Sequence, residues 1–154
     1  MKILLPIDGS DHSVITIDEF LSRLWPAGTQ VEVLSVAVGS PELIHPEPAG
    51  RSLHSDSTER ERQRAEKDVA EAADKIRHAM PSLEVFAKTM DGAPADGILK
   101  EAKEWGANLI MMGSRGHNAV LRMLLGSVAQ AVVRNAPCSV ELVRKPATET
   151  AKAS

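Results

Sequence analysis

Three glycines in the last third of the chain have a spacing typical of a loop that binds phosphate. Gly113 and Gly116 lie in a Gly-Ser-Arg-Gly segment, and nine residues separate Gly116 from Gly126 and Ser127. Glycine reaches backbone conformations with positive φ and lets the main chain approach a ligand closely. Gly126 and Ser127 are predicted to open a helix, where free N–H groups and the helix dipole favour an anion and the Ser127 hydroxyl adds a donor. We therefore interpret residues 113–127 as a phosphate cradle.

The distribution of charge supports an anion site in this loop. No Asp or Glu occurs from Trp105 to Val140, although the average density of 21 acidic residues in 154 would place about five there. Arg115 lies inside the glycine loop. Its guanidinium group is therefore in a position to reach a phosphate.

A carboxylate and an apolar strand end complete the candidate site. Asp8 follows the first predicted strand, and beside phosphates an Asp suits a ribose hydroxyl or a bound Mg²⁺ better than the phosphates themselves. Val36, near the end of the second predicted strand, could offer backbone polar groups and an apolar wall to a base. Two plainer interpretations stay open, in which the glycine loop is a tight connection and Asp8 a helix cap.

The apolar pattern predicts five strands that alternate with four helices. Apolar runs typical of strands cover residues 3–7, 31–38, 83–90, 108–112 and 139–143. Apolar residues at helical spacing cover residues 11–24, 56 to about 80, 95–105 and 126–134. Ser10 is a plausible N-cap of the first helix, and Asp56 with Glu59 resembles a capping box at the second.

This order predicts an α/β fold with a single open parallel five-stranded sheet, in the order 3-2-1-4-5, and helices on both faces. Ligands bind such sheets outside the carboxyl ends of the strands, where the strand order reverses. That point lies between strands 1 and 4, so the loops after Ile7 and Met112 meet there. We expect one domain over residues 1–145, a small polar and disordered tail over 146–154, and a functional or mobile loop over 39–56.

Composition excludes several classes of function. The net charge of -3 and the pI of about 6.0 provide no positive field for DNA or an acidic membrane surface. Two Phe, two Trp and no Tyr leave little material for stacking nucleic-acid bases. Because Cys138 is the single cysteine, the chain has neither an intramolecular disulfide nor a CxxC metal or redox site. No pair of histidines has metal-ligand spacing, so we expect no structural metal. Because no apolar segment reaches the length of a signal peptide or a membrane span, we predict a cytoplasmic protein.

Together these features resemble the universal stress protein family, specifically its ATP-binding branch. The Pro-x-Asp-Gly-Ser start at residues 6–10, the spacing G-x2-G-x9-G-S and the Pro-Cys-Ser-Val segment at 137–140 are similar to those of the family. The resemblance covers about residues 2–144, and the glycine spacing is matched at every fixed position. It implies a stress-response regulatory protein that binds ATP or AMP.

The resemblance also implies a role for each site residue. Asp8, in the segment that begins with Pro6, would meet the ribose or metal side of the nucleotide, and Val36 would contact adenine through its backbone. The loop and the following helix start would surround the phosphates with Met112, Gly113, Gly116, Gly126, Ser127 and Val128.

The fifth strand departs from the family pattern. Family members are commonly homodimers, often joined through their fifth strands, so the resemblance implies a homodimer. Glu141 stands in that strand where the family usually has an apolar residue, and a charge on an edge strand can block pairing. This puts the usual dimer geometry in question without affecting the nucleotide site.

Three functions stay open. The first is a regulatory module that binds ATP or AMP, the second a slow ATPase or nucleotidyl-transfer relative that uses Asp8 and Mg²⁺, and the third an interaction protein with a vestigial pocket. The chain has no GxxxxGK[ST] motif, no GxGxxG after the first strand and no recognisable base for attack on a γ-phosphate. Binding without rapid turnover is therefore the preferred hypothesis.

Overall fold

A computed structural model describes residues 1–39, 53–116 and 125–144, with the backbone alone at 53–56. The strands are β1 (Lys2–Pro6), β2 (Gln30–Ala37), β3 (Glu84–Asp91), β4 (Leu109–Gly113) and β5 (Ser139–Val143). The helices are α1 (Asp11–Leu21), α2 (Leu53–Ala79), α3 (Pro94–Trp105) and α4 (Ser127–Asn135). All strand pairs are parallel and their order is β3-β2-β1-β4-β5, which confirms the predicted α/β fold and sheet order.

The sheet is covered by helices on both faces, which explains the almost wholly apolar sequence of its central strand. One face packs against α1 and α2, and the other against α3 and α4. Ile3 and Leu5 belong to the first of these cores and Leu4 to the second, and all three side chains are fully buried. Burial of each of these side chains contributes about 1.5–3 kcal/mol to the stability of the fold. Because β1 is anchored on both faces in this way, the ends of the strands that pair with it are held in fixed positions.

The first helix is shorter than predicted. α1 ends at Leu21 instead of residue 24. The chain turns back after it, and the Trp25 ring stacks on Phe20 with the ring centroids 4.9 Å apart. Leu24, which the helical spacing placed in the packing stripe, is consequently fully exposed.

Two predicted caps differ in the structure. α2 begins at Leu53, so Asp56 lies inside the helix and the predicted capping box is wrong. Ser10 does occupy the N-cap position of α1, but its side chain makes no capping hydrogen bond and its buried Oγ has no partner in the described ranges. The predicted loop at 39–56 lies mostly outside the described residues, as does the predicted tail at 146–154. No helix within the described ranges has the length and apolar character needed to cross a bilayer.

The charge in the fifth strand has a partner inside the fold. The Glu141 carboxylate accepts hydrogen bonds from the Arg23 guanidinium group, one of them at 2.8 Å. Arg23 follows α1 and also binds Glu19 at 2.8 Å. Glu141 is therefore turned toward α1 and neutralised within its own chain. Because both side chains of the pair are about one-third exposed, we expect it to contribute no more than about 1 kcal/mol to stability.

Two carboxyl groups are buried together on the α3 side of the sheet. Glu32 in β2 is 6% exposed and Glu101 in α3 is 3% exposed. Lys88 in β3 donates to Glu101 Oε2, whereas Glu32 Oε1 has no partner in the described ranges. Burial, and then the charge of Glu101, raise the pKa of Glu32 from 4.5 to about 7, against the opposing charges of Lys88 and Lys2. A hydrogen bond between Glu32 and Glu101 also raises this pKa, and it requires a proton that Glu32 loses near neutral pH.

Candidate functional site

The strand order reverses between β1 and β4, and the sheet opens at that point. β1 pairs with β2 as far as Pro6 and Leu34, and beyond it the Ile7 N–H donates to the Leu34 carbonyl at 2.8 Å. The pairing of β1 with β4 reaches only Leu4 and Ile110. The carboxyl ends of these strands therefore separate, as expected at a switch in strand order. A cavity of about 520 Å³ occupies the crevice.

This cavity brings together every residue predicted for the site. Its walls include the ends of β1, β2 and β4, residues 113–116 of the glycine loop and the start of α4, while residues 117–124 of the predicted cradle lie outside the described residues. The ten residues are Pro6, Asp8, Val36, Met112, Gly113, Arg115, Gly116, Gly126, Ser127 and Val128. They come from four separate parts of the sequence, so the fold alone makes them neighbours. The volume lies within the range usual for small-molecule sites.

The Asp8 side chain is held in place by residues at the start of α1. Its Oδ1 accepts hydrogen bonds from the Ser10 N–H at 3.0 Å and from the Ser13 hydroxyl at 2.8 Å. The Asp8 N–H in turn donates to Ser13 Oγ at 2.9 Å. The other carboxylate oxygen, Oδ2, faces Gly116, where an added Cβ atom would lie 2.7 Å from it. Asp8 is thus an oriented hydrogen-bond acceptor at the contact between the first loop and the glycine loop.

Backbone hydrogen bonds tie the two ends of the glycine loop together. The Gly126 N–H donates to the Ser114 carbonyl at 2.8 Å, and the Ser114 N–H donates to the Val143 carbonyl in β5 at 2.9 Å. Gly126 takes the N-cap position of α4 and provides no side-chain cap. The first N–H groups of α4 therefore have no partner inside the helix. Because Ser127 and Val128 line the cavity, this helix start gives the wall an anion-binding character.

The loop glycines allow close approach of two segments and do not supply unusual dihedral angles. Positive φ in the described ranges occurs at other glycines, including Gly9 with φ of 74°, and not at Gly113 or Gly116, so these two glycines do not use the conformational freedom that their type allows. A Cβ atom at Gly113 would lie 3.1 Å from His12 Cβ and 3.2 Å from the Arg115 carbonyl oxygen. Any larger residue would push the loop away from α1.

The apolar side of the cavity is formed by the end of β2 and the start of α3. Val36, Pro94 and Ile98 line it and offer a surface suited to a flat ring. α3 approaches β2 closely because Gly97 has no side chain, and a Cβ atom there would lie 2.8 Å from Val36 Cγ2. The position of Val36 in the cavity wall therefore depends on a glycine that the sequence analysis did not single out.

Gly97→Ala is expected to destabilise the protein by about 1 kcal/mol. Alanine improves helix propensity by up to about 1 kcal/mol. The added methyl group must displace Val36 or shift α3, however, and overpacking of this kind costs about 1–3 kcal/mol. Urea denaturation measures the change in the free energy of unfolding. Gly39→Ala, where an added Cβ meets no atom of the described residues within 4 Å, is the control, and equal stability of the two variants would contradict the packing argument.

α2 supplies a wall that the sequence analysis missed. Glu61, Arg64, Ala65 and Asp68 line the same cavity, although the charged run at 58–68 is predicted from its composition to be a solvated helix face. The four residues lie zero, three, four and seven positions along the helix from Glu61, a spacing that places them on one face. The spacing is present in the sequence, but no apolar stripe marks this face as one that borders a cavity.

Charged groups of both signs surround the cavity. Arg64 and Arg115 contribute positive charge, and Asp8, Glu61 and Asp68 contribute negative charge. Within the described part of the chain, no group of three or more His, Cys, Asp or Glu is arranged to hold a metal ion. The walls therefore suit a ligand that has both phosphate and hydroxyl groups.

Solved structures with the same fold cover nearly the whole chain. The hypothetical protein MJ0577 superposes with a TM-score of 0.82 at 21% identity, over 96% of this chain and 97% of its own. A universal stress protein in complex with cAMP gives 0.64 at 21% identity, over 94% and 96%. A universal stress protein family protein from Arabidopsis thaliana with AMP bound gives 0.68 at 16% identity, over 99% and 97%. At these identities the likeness establishes the fold.

Similarity in sequence establishes the family. A universal stress protein of Methanocaldococcus jannaschii, MJ0531, is 32% identical over 148 residues, which cover 96% of this chain and 84% of the relative. A universal stress protein of Thermus aquaticus is 35% identical over 142 residues, which cover 92% of this chain and 97% of the relative. The sequence also matches the universal stress protein family over residues 1–144. The chain therefore belongs to the universal stress protein family.

Proposed function

We propose that this protein binds an adenine nucleotide, ATP or AMP, in the cavity between β1 and β4, and that it acts as a regulatory protein of the stress response. The observation that carries the proposal is the meeting of the glycine loop, the uncapped start of α4 and the Asp8 carboxylate in one cavity. Two proteins of the same fold were solved with cAMP and with AMP. These complexes favour an adenine nucleotide over other phosphorylated ligands.

In this proposal each wall of the cavity takes one part of the nucleotide. The first N–H groups of α4, the Ser127 hydroxyl and Arg115 bind the phosphates, since charge-assisted hydrogen bonds are the strongest available. Asp8 accepts a hydrogen bond from a ribose hydroxyl. Adenine lies on the apolar side, beside Val36 and Ile98, where the backbone of β2 offers it hydrogen bonds.

The proposal favours binding over rapid turnover. Asp8 Oδ1 already accepts two hydrogen bonds from the start of α1, which suits Asp8 to hold a ribose or a nucleotide-bound Mg²⁺. The described residues include no cluster that could hold a metal ion alone, so Mg²⁺ would enter with the phosphates. The slow ATPase remains the alternative, and it would need a carboxylate such as Glu61 or Asp68 to position water.

Mass spectrometry of the ligand released from freshly purified, denatured protein is expected to recover ATP or AMP. A thermal shift with Mg-ATP is expected as well, because a ligand at 100 times its Kd stabilises the folded state by about 2.7 kcal/mol. For a chain of this size that corresponds to a rise in Tm of roughly 5–10 °C. Mg-GTP serves as the control for the base.

Each outcome separates two of the functions. ATP that stays intact over hours on the protein supports a sensor, whereas its conversion to ADP supports the slow ATPase. No recovered ligand and no shift at millimolar Mg-ATP would overturn the proposal and favour an interaction protein with a vestigial pocket.

We also propose a cytoplasmic homodimer. Universal stress proteins commonly pair through the fifth strand, and β5 is an edge strand of the sheet in this chain. Because the Arg23 ion pair neutralises Glu141 inside the fold, its charge is less of an obstacle to pairing than the sequence suggests.

A further inference from the structure

A second cavity adjoins the proposed nucleotide site. Its volume is about 490 Å³, and it lies between the loop after β1 and the side of α2. The lining residues are Gly9, Gln63, Arg64, Lys67 and Asp68. Arg64 and Asp68 also line the first cavity, so these two side chains border both spaces.

Arg64 has no anionic partner among the described residues, unlike Arg62 and Lys67, which lie two and three positions from it on α2. Arg62 binds Glu66 and Asp91 at 3.1 and 3.3 Å. Lys67 lies 3.7 Å from a carboxylate oxygen of Glu71, in an exposed pair that is weak in water. No ion pair or hydrogen bond to the described residues holds the Arg64 side chain. It is therefore the guanidinium group available to an anion at the junction of the two cavities.

The side chains of the second cavity define the chemistry of its occupant. Arg64 and Lys67 lie three positions apart on α2, so both cations face the same space. A guanidinium and an ammonium group together favour a phosphate, and the Asp68 carboxylate beside them accepts a hydrogen bond from a hydroxyl group. Gly9 follows Asp8, which meets the ribose in the proposed function. The occupant is thus a phosphate next to a sugar hydroxyl.

We propose that the α2 cavity is an anion subsite, in which Arg64 binds a phosphate group beyond those held by the start of α4. This inference rests on the proposed function, since it places the subsite beside Asp8, at the point where the Asp8 carboxylate faces Gly116 of the glycine loop. Arg64 then determines which phosphorylated forms of adenosine the protein prefers. A charged contact on an exposed helix is sensitive to ionic strength, so the preference weakens as salt is added.

Arg64→Gln tests the subsite, because glutamine keeps a polar side chain and removes the charge. Isothermal titration of ATP, AMP and adenosine is carried out at low and high salt on the full chain. We expect the variant to bind ATP about tenfold more weakly at low salt and adenosine as the wild type does. Arg62→Gln is the matched control, since Arg62 lies on the same helix and lines neither cavity, and its ATP affinity should not change.

Two further titrations identify the source of the phosphate and distinguish a failure of the proposed subsite from a failure of the proposed nucleotide binding. If inorganic phosphate strengthens adenosine binding in the wild type but not in the variant, the subsite takes a separate phosphate ion. Equal binding of ATP by the wild type and Arg64→Gln would overturn the subsite and leave the proposed function standing. If no adenine compound binds, tripolyphosphate alone is titrated. Binding that depends on Arg64 would then keep the subsite and overturn the nucleotide, and no binding would overturn both.

Discussion

Gly126→Asp is expected to abolish nucleotide binding and leave the fold intact. Gly126 is the N-cap of α4, in an extended conformation that any residue adopts, with φ of -72° and ψ of 158°. A Cβ atom there would meet its nearest neighbours, Arg115 Cα and the Ser114 carbonyl oxygen, at 3.4 and 3.5 Å, which is ordinary contact. Aspartate is among the most favoured N-cap residues. Its carboxylate would bind the free N–H groups of α4, in the place proposed for phosphate.

The size of the effect follows from charge. The variant loses the proposed phosphate contacts and adds a negative charge beside the remaining phosphates, so we expect ATP affinity to fall by more than 100-fold, equivalent to about 3 kcal/mol or more. The free energy of unfolding should change by less than about 1 kcal/mol, because an N-cap exchange from glycine to aspartate is mildly favourable. Titration of Mg-ATP and urea denaturation measure the two quantities separately.

Gly126→Asn is the matched control. Asparagine caps a helix about as well as aspartate and has the same size, but it adds no charge. We expect it to weaken binding much less than Gly126→Asp does. If both variants bind ATP as the wild type does, the start of α4 is not the phosphate site. Gly116→Asp is a less direct test, because any side chain at Gly116 also displaces the Asp8 carboxylate.

The sequence predicts the elements of this site well because the signals are local. Glycine spacing after a buried strand and before a helix is a property of residues 113–127 alone. The alternation of strands and helices then fixes the sheet order, because right-handed crossovers leave few arrangements. Asp8 and Val36 are therefore assigned to the same sheet edge without any knowledge of their contacts. All of these residues do meet in one cavity.

The features that were not predicted depend on contacts between distant segments. Arg64 and Asp68 look like residues of a solvated helix face, and only the position of α2 beside the loop after β1 makes them part of a wall. Gly97 resembles a poor helix residue until its distance to Val36 is known. Leu24 fits the helical stripe, but α1 ends at Leu21, and it is the Trp25 ring that packs back on Phe20. Composition and periodicity do not predict such packing, because it depends on tertiary contacts that override local preferences.

Glu32→Gln is expected to stabilise the protein at pH 8 by on the order of 2 kcal/mol, and hardly at all at pH 5. Glu32 is buried beside Glu101, and Lys88 already donates to Glu101. A neutral Glu32 can donate a hydrogen bond to the Glu101 carboxylate, whereas an ionised Glu32 faces it as a second negative charge. Glutamine has nearly the same shape as the neutral acid, and its amide N–H group can make the same donation.

The direction of the pH dependence follows from the raised pKa of Glu32. With a pKa of about 7 in the folded state and 4.5 in the unfolded chain, the folded protein binds more protons between these values. The free energy of unfolding attributable to Glu32 therefore falls as pH rises from about 4.5 to about 7 and is constant above that. A rise in pKa from 4.5 to about 7 corresponds to a loss of folding free energy on the order of 3 kcal/mol when Glu32 is ionised. Glu32→Gln is expected to recover less than this, because an ionised Glu32 is also attracted by the charges of Lys88 and Lys2.

Urea denaturation of the wild type and Glu32→Gln from pH 5 to pH 8 isolates this contribution, because the other titrating groups are common to both proteins. The difference between the two curves should grow through the window from about 5 to 7 and then level off. Glu104→Gln removes an exposed carboxylate from the same helix as Glu101 and should give a difference that stays within about 0.5 kcal/mol at every pH. A constant difference for Glu32→Gln would mean that Glu32 is ionised throughout. In that case Lys88 and Lys2 would have to stabilise two buried carboxylates, and the orphaned Oε1 atom of Glu32 would need a donor from outside the described residues.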